Sequence, residues 1–291
     1  MTKIYVFFSG GKDSQACLIL AAKKYGIDNI KAVFCDTGWE NPVTYDHINK
    51  VCDSMGVGLI TIKSDKYEGM VDLAIKKKRF PSTMARFCTE ELKVKPSIDF
   101  VLSQESNVII IEGIRGGESK KRSLMSNQCL YFKYYFEPYG HDKDGKPRYH
   151  TYRKKDVIEW TKKYNADIER LVFDYSAQDV IDLIVNSGQQ PNPLYYNGFS
   201  RVGCFPCVMA NHREIKQIIK VYPEHINEII EAERKAGRNF FPPSYIPKWA
   251  CDNNNFPLIA DVVKYLKDTD ATIDAFGSET PSCMSLYGLC E

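Results

Sequence analysis

The chain has 291 residues, 44% hydrophobic and 26% charged, with 39 Lys and Arg against 37 Asp and Glu. That profile belongs to an ordinary globular protein and excludes disordered, collagenous and membrane-spanning classes. A formal net charge of +2 argues against a protein that coats polyanions with its whole surface, and ten cysteines exceed what packing asks of a chain.

The first apolar run, Ile4 to Phe8, stops at Ser9-Gly10-Gly11-Lys12 and is too short for a signal peptide or a membrane span. A cytoplasmic protein with reduced thiols is expected, some of them metal ligands. Ile4 to Phe8, Ala32 to Cys35, Leu59 to Ile62 and Val108 to Glu112 are short β-branched or aromatic runs that read as buried parallel strands. Asp13 to Tyr25, Pro42 to Met55 and Glu90 to Gln104 carry apolar residues at helical spacing between them. Strand and helix therefore alternate, which predicts an α/β fold built on a doubly wound parallel sheet, with ligands beyond the carboxyl ends of the strands. Further on, helical patterns cover Ser176 to Asn186, residues 211–236 with a break at Pro223, and residues 257–267. The expected organisation is a nucleotide-binding α/β domain over 1–200 and a small, mostly helical, cysteine-containing C-terminal region over 201–291.

Ser9-Gly10-Gly11-Lys12-Asp13-Ser14 lies directly after the first strand and before the first helix, so its amides and the helix N-terminus face one point, an arrangement that holds phosphate. Neither the Walker A spacing nor the Rossmann glycine pattern is present. Lys12 supplies a point charge, and Asp13 would repel phosphate unless a Mg²⁺ lay between them. Arg115 and Arg122 are fixed cations suited to bidentate phosphate contacts, and Asp36, at a strand end, is placed to orient a ribose or a metal.

The Ser9 to Ser14 hexapeptide resembles the pyrophosphate loop of the adenine nucleotide α-hydrolase superfamily. Asp36-Thr37-Gly38-Trp39-Glu40-Asn41-Pro42 resembles the Asp-Thr-Gly segment of its phosphoadenosine phosphosulfate (PAPS) reductase branch, and Gly113-Ile114-Arg115-Gly116-Gly117-Glu118-Ser119 with Arg122 resembles that branch's later loop. Asp179-Val180, Pro193-Leu194-Tyr195 and Gly203-Cys204 follow in the same order, so the likeness spans about residues 3–125 and 172–208. It implies nucleotide contacts from Ser9, Gly10, Gly11, Lys12, Asp13, Ser14, Asp36, Thr37, Gly38, Gly113, Arg115, Glu118 and Arg122, with Lys12, Asp13 and Arg115 taking part in the chemistry. The implied ligand is ATP, or PAPS or adenylyl sulfate, together with Mg²⁺.

Cys204-Phe205-Pro206-Cys207 has the gap that lets two thiolates face one metal. A dithiol redox pair is the other use of this spacing, but the thioredoxin-like βαβ context is missing. Cys88, within Arg86-Phe87-Cys88-Thr89-Glu90-Glu91-Leu92-Lys93-Val94-Lys95-Pro96, resembles the Cys-Cys-x-x-Arg-Lys-Val-x-Pro stretch of the family's iron–sulfur reductases, with Thr89 in place of the second cysteine. The resemblance implies a [4Fe–4S] cluster on Cys88, Cys204 and Cys207, with Cys290, or alternatively Cys283, as the fourth ligand. A structural Zn²⁺ suits the same four thiolates. Cys17, Cys35 and Cys52 lie in apolar patterns and read as core.

Residues 118–155 read as an insertion or flap with ten Lys and Arg, four Asp and Glu and six tyrosines, a local charge of +6 on a remainder of −4. Such a mixture suits nucleic acid, and equally a solvated hairpin or a homodimer or protein contact; Lys120, Lys121 and Arg122 belong rather to the nucleotide site. The function expected is an enzyme acting at the α-phosphate of an adenine nucleotide, ATP going to an adenylate and pyrophosphate, coupled to sulfur chemistry such as sulfur insertion into nucleic acid. Reduction of PAPS or adenylyl sulfate is the alternative, although the Glu-Cys-Gly-x-His string of the family's reductases is absent. A noncatalytic nucleotide-binding subunit of a larger complex is another.

Overall fold

A computed structural model describes residues 2–252 and 256–273. Cys283 and Cys290 lie outside the described residues. In chain order the elements open with β1 (Lys3–Phe7), α1 (Lys12–Tyr25), β2 (Ile30–Cys35), α2 (Pro42–Met55), β3 (Gly58–Ile62), α3 (Met70–Lys77) and α4 (Phe87–Thr89). They continue with α5 (Lys95–Leu102), β4 (Val108–Glu112), α6 (Lys120–Ser123), β5 (Gln128–Leu130), α7 (Lys133–Phe136), β6 (Gly140–His141) and β7 (Pro147–Arg148). The last are α8 (Lys154–Thr161), β8 (Ala166–Glu169), α9 (Ala177–Asn186), α10 (His212–Val221), α11 (Glu224–Ala236) and α12 (Ile259–Ile273).

The chain divides into two compact units, each made of three segments. The first comprises Met1–Cys35, Asp46–Ile62 and Val94–Pro191; the second comprises Asp36–Tyr45, Lys63–Lys93 and the chain from Asn192. The last segment of the second unit starts at Asn192, and two earlier stretches also belong to that unit.

In the first unit a six-stranded sheet has the order β3-β2-β1-β4-β8-β5. The pairs from β3 through to β8 are parallel, and β5 runs antiparallel to β8. β1 is buried on both faces, with Tyr5 on one side and Ile4 and Val6 on the other, as the two-residue period of a covered central strand requires. Helix α1 packs with α9 and against β1 and β4. Tyr5, Val33, Ile110, Ile98 and Val101 of α5, and Val157 and Trp160 of α8 form a continuous core. The first crossover leads from β1 to β2 and the sheet then grows on the other side through β4, so the crevice between β1 and β4 is the topological switch point at which open α/β sheets bind ligands.

The structure departs from the expected elements at defined places. Glu90 to Gln104 is not one helix: Glu90–Val94 winds as a π turn before α5. Pro96 lacks an N–H and its ring crowds the carbonyl four residues back, which favours the wider turn. β8 escaped the apolar pattern because Asp167 and Glu169 interrupt it, and the 118–155 flap is partly built into the sheet through β5.

The second unit buries Trp39, Met70, Leu73, Phe80, Phe199, Phe205, Ile229 and Phe240 in one cluster drawn from all three of its segments. Helices α10, α11 and α12 pack on one another and α11 packs on α3. Helix α10 opens with a capping box between Asn211 and Glu214, and α11 closes at Gly237 in the left-handed conformation, φ +59°.

Candidate functional site

The first unit places Ser9–Ser14 where β1 gives way to α1, at the carboxyl edge of the sheet. Gly10 has φ +76°, a conformation that glycine adopts without strain and that turns the chain into the helix. The Ser14 hydroxyl donates to the Gly11 carbonyl at 2.9 Å and accepts from the Ser9 amide at 3.2 Å, which closes the loop on itself. Gly113, one residue beyond β4, approaches so closely that a Cβ there would lie 2.5 Å from the Ser14 amide nitrogen. The two loops flanking the switch point therefore touch backbone to backbone, and only glycine permits it.

Lys12 is 5% exposed and Arg115 8%, and both reach Asp13. Lys12 Nζ lies 3.0 Å from Asp13 Oδ2, and Arg115 Nε lies 2.5 Å from Oδ1. Arg115 Nη2 is 3.7 Å from Glu118 Oε1, and Arg122 pairs with the other oxygen of Glu118. Lys12, Asp13, Arg115, Glu118 and Arg122 thus form one chain of alternating charge. The charge of Asp13 is answered within the protein, so the loop does not need Mg²⁺ to offset it.

Residues that the sequence did not single out support this site. Gln15 is fully buried, donating to the Gln190 carbonyl at 2.9 Å while its Oε1 lies 3.2 Å from His47 Nε2. An acceptor facing Nε2 requires the proton to sit there, and burial pushes the His47 imidazole down to about 4. Arg170 follows β8 at the same carboxyl edge and pairs with Glu112, the last residue of β4, at 3.0 Å. Among the described residues its buried Nε has no hydrogen-bond partner, and it stands beside a cavity of about 210 Å³ also lined by Asn127, Glu169 and Tyr175. Arg170 was illegible because the strand it follows was.

In the second unit, Asp36, Thr37 and Gly38 form a tight turn. Asp36 accepts from the Gly38 amide at 2.8 Å and the Tyr45 hydroxyl at 2.7 Å, and pairs with Lys63 at 2.7 Å. Burial alone would raise its carboxyl, but the Lys63 ammonium and the Tyr45 hydroxyl hold it below the usual range. Thr37 donates to Glu40 at 2.7 Å, and Glu40 bridges as a strand partner to Cys204. Gly69 approaches the Thr37 carbonyl so closely that a Cβ would stand 2.8 Å away.

The same unit carries the cysteines. Cys88, Cys204 and Cys207 are all half-buried against one hydrophobic cluster. Burial raises the Cys88 thiol and Cys207 raises it further; burial likewise raises Cys204, with Lys93 pulling down and Glu40 and Cys207 pushing up. Cys207 is therefore within electrostatic reach of both other thiols. The Thr37 hydroxyl is 3.8 Å from Cys204 Sγ, and the Cys204-x-x-Cys207 turn has a cis Phe205–Pro206 bond. All eight cysteines among the described residues are free thiols. The donors suit a soft metal, yet among the described residues no three His, Cys, Asp or Glu side chains are gathered into a metal-holding group. Cys17 and Cys52 are buried core thiols pushed up to about 12 and about 11 by burial.

Residues 3–210 match the family profile described as the phosphoadenosine phosphosulfate reductase domain. The chain belongs to the PAPS reductase family. Its relatives include an uncharacterized 37.8 kDa protein of Escherichia phage 186, 29% identical over 84% of this chain and 80% of the phage protein. Two uncharacterized proteins of Methanocaldococcus jannaschii are 26% and 30% identical over 79% and 76% of this chain, which spans only 47% and 39% of them. Among solved structures, the phosphate complex of the PAPS reductase of Candida auris is 16% identical with a TM-score of 0.46, over 70% of this chain and 82% of that one. The FMN adenylyltransferase of Candida glabrata bound to FAD and pyrophosphate is 15% identical with a TM-score of 0.42, over 69% and 55%. Membership of the PAPS reductase family makes this a chain of a nucleotide-binding, sulfur-related enzyme family. Among the described residues no helix is long and apolar enough to cross a membrane.

Proposed function

We propose that the chain is an enzyme that binds an adenine nucleotide with its phosphates against Ser9–Ser14 and acts at the α-phosphate. The observation that carries this reading is the convergence of two buried cations, Lys12 and Arg115, on one point at the switch of the sheet. With ATP, an acceptor nucleophile forms a bond to the α-phosphorus while the bond to the bridging oxygen breaks, and pyrophosphate leaves with the electron pair. Lys12 and Arg115 are placed to transfer their attraction from Asp13 to that developing charge, a preorganised electrostatic role. Gly10, Gly11 and Ser14 hold the loop backbone, and Glu118 positions Arg115 and Arg122.

Sulfur is the proposed second half of the chemistry, in keeping with the family. Cys88, Cys204 and Cys207, with Cys290 or Cys283 completing four thiolates, are the ligands proposed for a [4Fe–4S] cluster, or for Zn²⁺. Such a cluster would supply one-electron transfer, whereas zinc would cross-link the segment that carries Cys88 to the last segment of the unit. Anaerobic purification followed by absorption near 400 nm and metal analysis separates them: a colourless protein with stoichiometric zinc removes the redox role.

The reaction is tested with Mg²⁺ and α-labelled ATP, offering sulfate and nucleic acid as acceptors. Release of AMP or a labelled acceptor is expected, and Lys12→Ala should lower kcat/KM by about a hundredfold or more. Binding without turnover in every acceptor condition would leave the noncatalytic subunit. The family profile also favours reduction of PAPS or adenylyl sulfate, which release of sulfite in the presence of a dithiol reductant would establish instead.

A further inference from the structure

We propose that the hairpin at residues 139–150 of the first unit is a binding surface for single-stranded nucleic acid. The structure sorts the six flap tyrosines into two groups. Tyr135 is buried and donates to the Tyr152 carbonyl at 2.6 Å, Tyr152 donates to Asp99 at 2.8 Å, and Tyr131 packs into the sheet core. These three hold the flap in place. Tyr134, Tyr139 and Tyr149 are instead exposed, at 42%, 43% and 36%.

Two of the exposed rings belong to one platform. Tyr139 stacks on His150 with centroids 5.0 Å apart and planes at 23°, and Tyr134 meets both edge-on at 6.3 and 6.0 Å. The backbone fixes the platform, since the Tyr139 amide donates to the Arg148 carbonyl and the His150 amide to the Tyr134 carbonyl, each at 2.9 Å. Arg148 lies over the Tyr139 ring at 5.4 Å, and Lys154 over Tyr149 at 5.7 Å. Lys143, Lys146 and Arg148 share the exposed hairpin with Asp142 and Asp144, and Asp142 is occupied in the turn, accepting from the Asp144 and Lys146 amides at 2.9 Å. Every residue from His141 to Thr151 is exposed.

Exposed rings interleaved with cations suit a strand whose bases are unstacked and whose phosphates run alongside. A duplex hides its base faces and leaves the rings without use, and a protein partner does not call for a local excess of cations. The inference concerns binding alone and is independent of the reaction proposed above.

Fluorescence anisotropy of the full chain with labelled single-stranded DNA, single-stranded RNA and duplex DNA of one sequence tests it. Single strands should bind more tightly than duplex, and the DNA and RNA arms identify the sugar preferred. Tyr139→Ala should weaken binding about tenfold, the loss of one stacked base. Arg148→Ala should also make the slope of log affinity against log salt shallower by about 0.7, the value for one phosphate contact. Lys31→Ala, an exposed lysine outside the flap, should change neither. Circular dichroism and binding of ATP check that each variant is folded. Equal affinity for duplex, no binding at low salt, or single-strand binding indifferent to both flap variants would overturn the proposal. So would a shift in oligomeric state by Tyr139→Ala with unchanged affinity, which would make the hairpin a contact between chains.

Discussion

Asp13 is the residue on which the proposed nucleotide site turns, because it holds two buried cations, Lys12 and Arg115. Removing its charge leaves Lys12 and Arg115 without their shared anion, and breaking one partner of a buried pair costs about 3 kcal/mol. Asp13→Asn should therefore lower the thermal midpoint, and pyrophosphate should raise it by more in the variant than in the wild type. Equal shifts in both proteins would separate Asp13 from the phosphate site. Gly113 is the second decisive residue. In Gly113→Ala the new methyl meets the Ser14 backbone, which cannot rotate away, so about 1–3 kcal/mol of stability and at least tenfold in ATP affinity should be lost. Calorimetric titration measures the affinity, and an unchanged value would show that the two loops need not touch. The hexapeptide and Arg115 were legible from local order alone. The Gly113 contact was not, since it joins positions about a hundred residues apart.

At the scale of elements, the N-termini of α9 and α10 are fixed locally, because capping depends on residues three apart. Ser176 and Asp179 form the box that starts α9, with amide bonds of 3.1 and 2.8 Å. Asn211→Ala, at the start of α10, should cost about 1 kcal/mol by denaturant unfolding. Contacts between elements carried no such local mark. Glu233 of α11 is buried and accepts from the amides of Phe240 at 2.7 Å and of Ile259, at the start of α12, at 2.9 Å. Burial pushes its carboxyl up to about 7, against the pull of those two amides and with some help from Asp261. A raised carboxyl binds its proton more tightly in the folded chain than in the unfolded one. Its contribution is complete below pH 4.5 and is lost as pH rises through about 7. Unfolding free energy should fall over that window by an amount on the order of 3 kcal/mol, and Glu233→Gln should flatten the fall. A profile that keeps its slope in the variant would assign the dependence to another group.

For the molecule as a whole, the cysteines separate into environments that chemistry can read. Cys17 and Cys52, buried and with raised thiols, should resist alkylation of the native protein at neutral pH. Cys88, Cys204 and Cys207 are partly accessible, and a bound metal should protect all three together. Mass spectrometry after brief iodoacetamide treatment, with and without a chelator, distinguishes the groups. Independent modification of the three, unaffected by chelation, would argue against a shared site.

The sequence by itself determined the alternation of strand and helix, the glycine turn between β1 and α1 and the family, because these depend on period, spacing and short motifs. Only the tertiary structure decided that the second unit is assembled from three separated segments, that Asp36 accepts from the Gly38 amide in a tight turn, and which flap tyrosines face solvent. Those outcomes follow from close approach and burial between residues far apart in the chain, on which local composition bears no imprint.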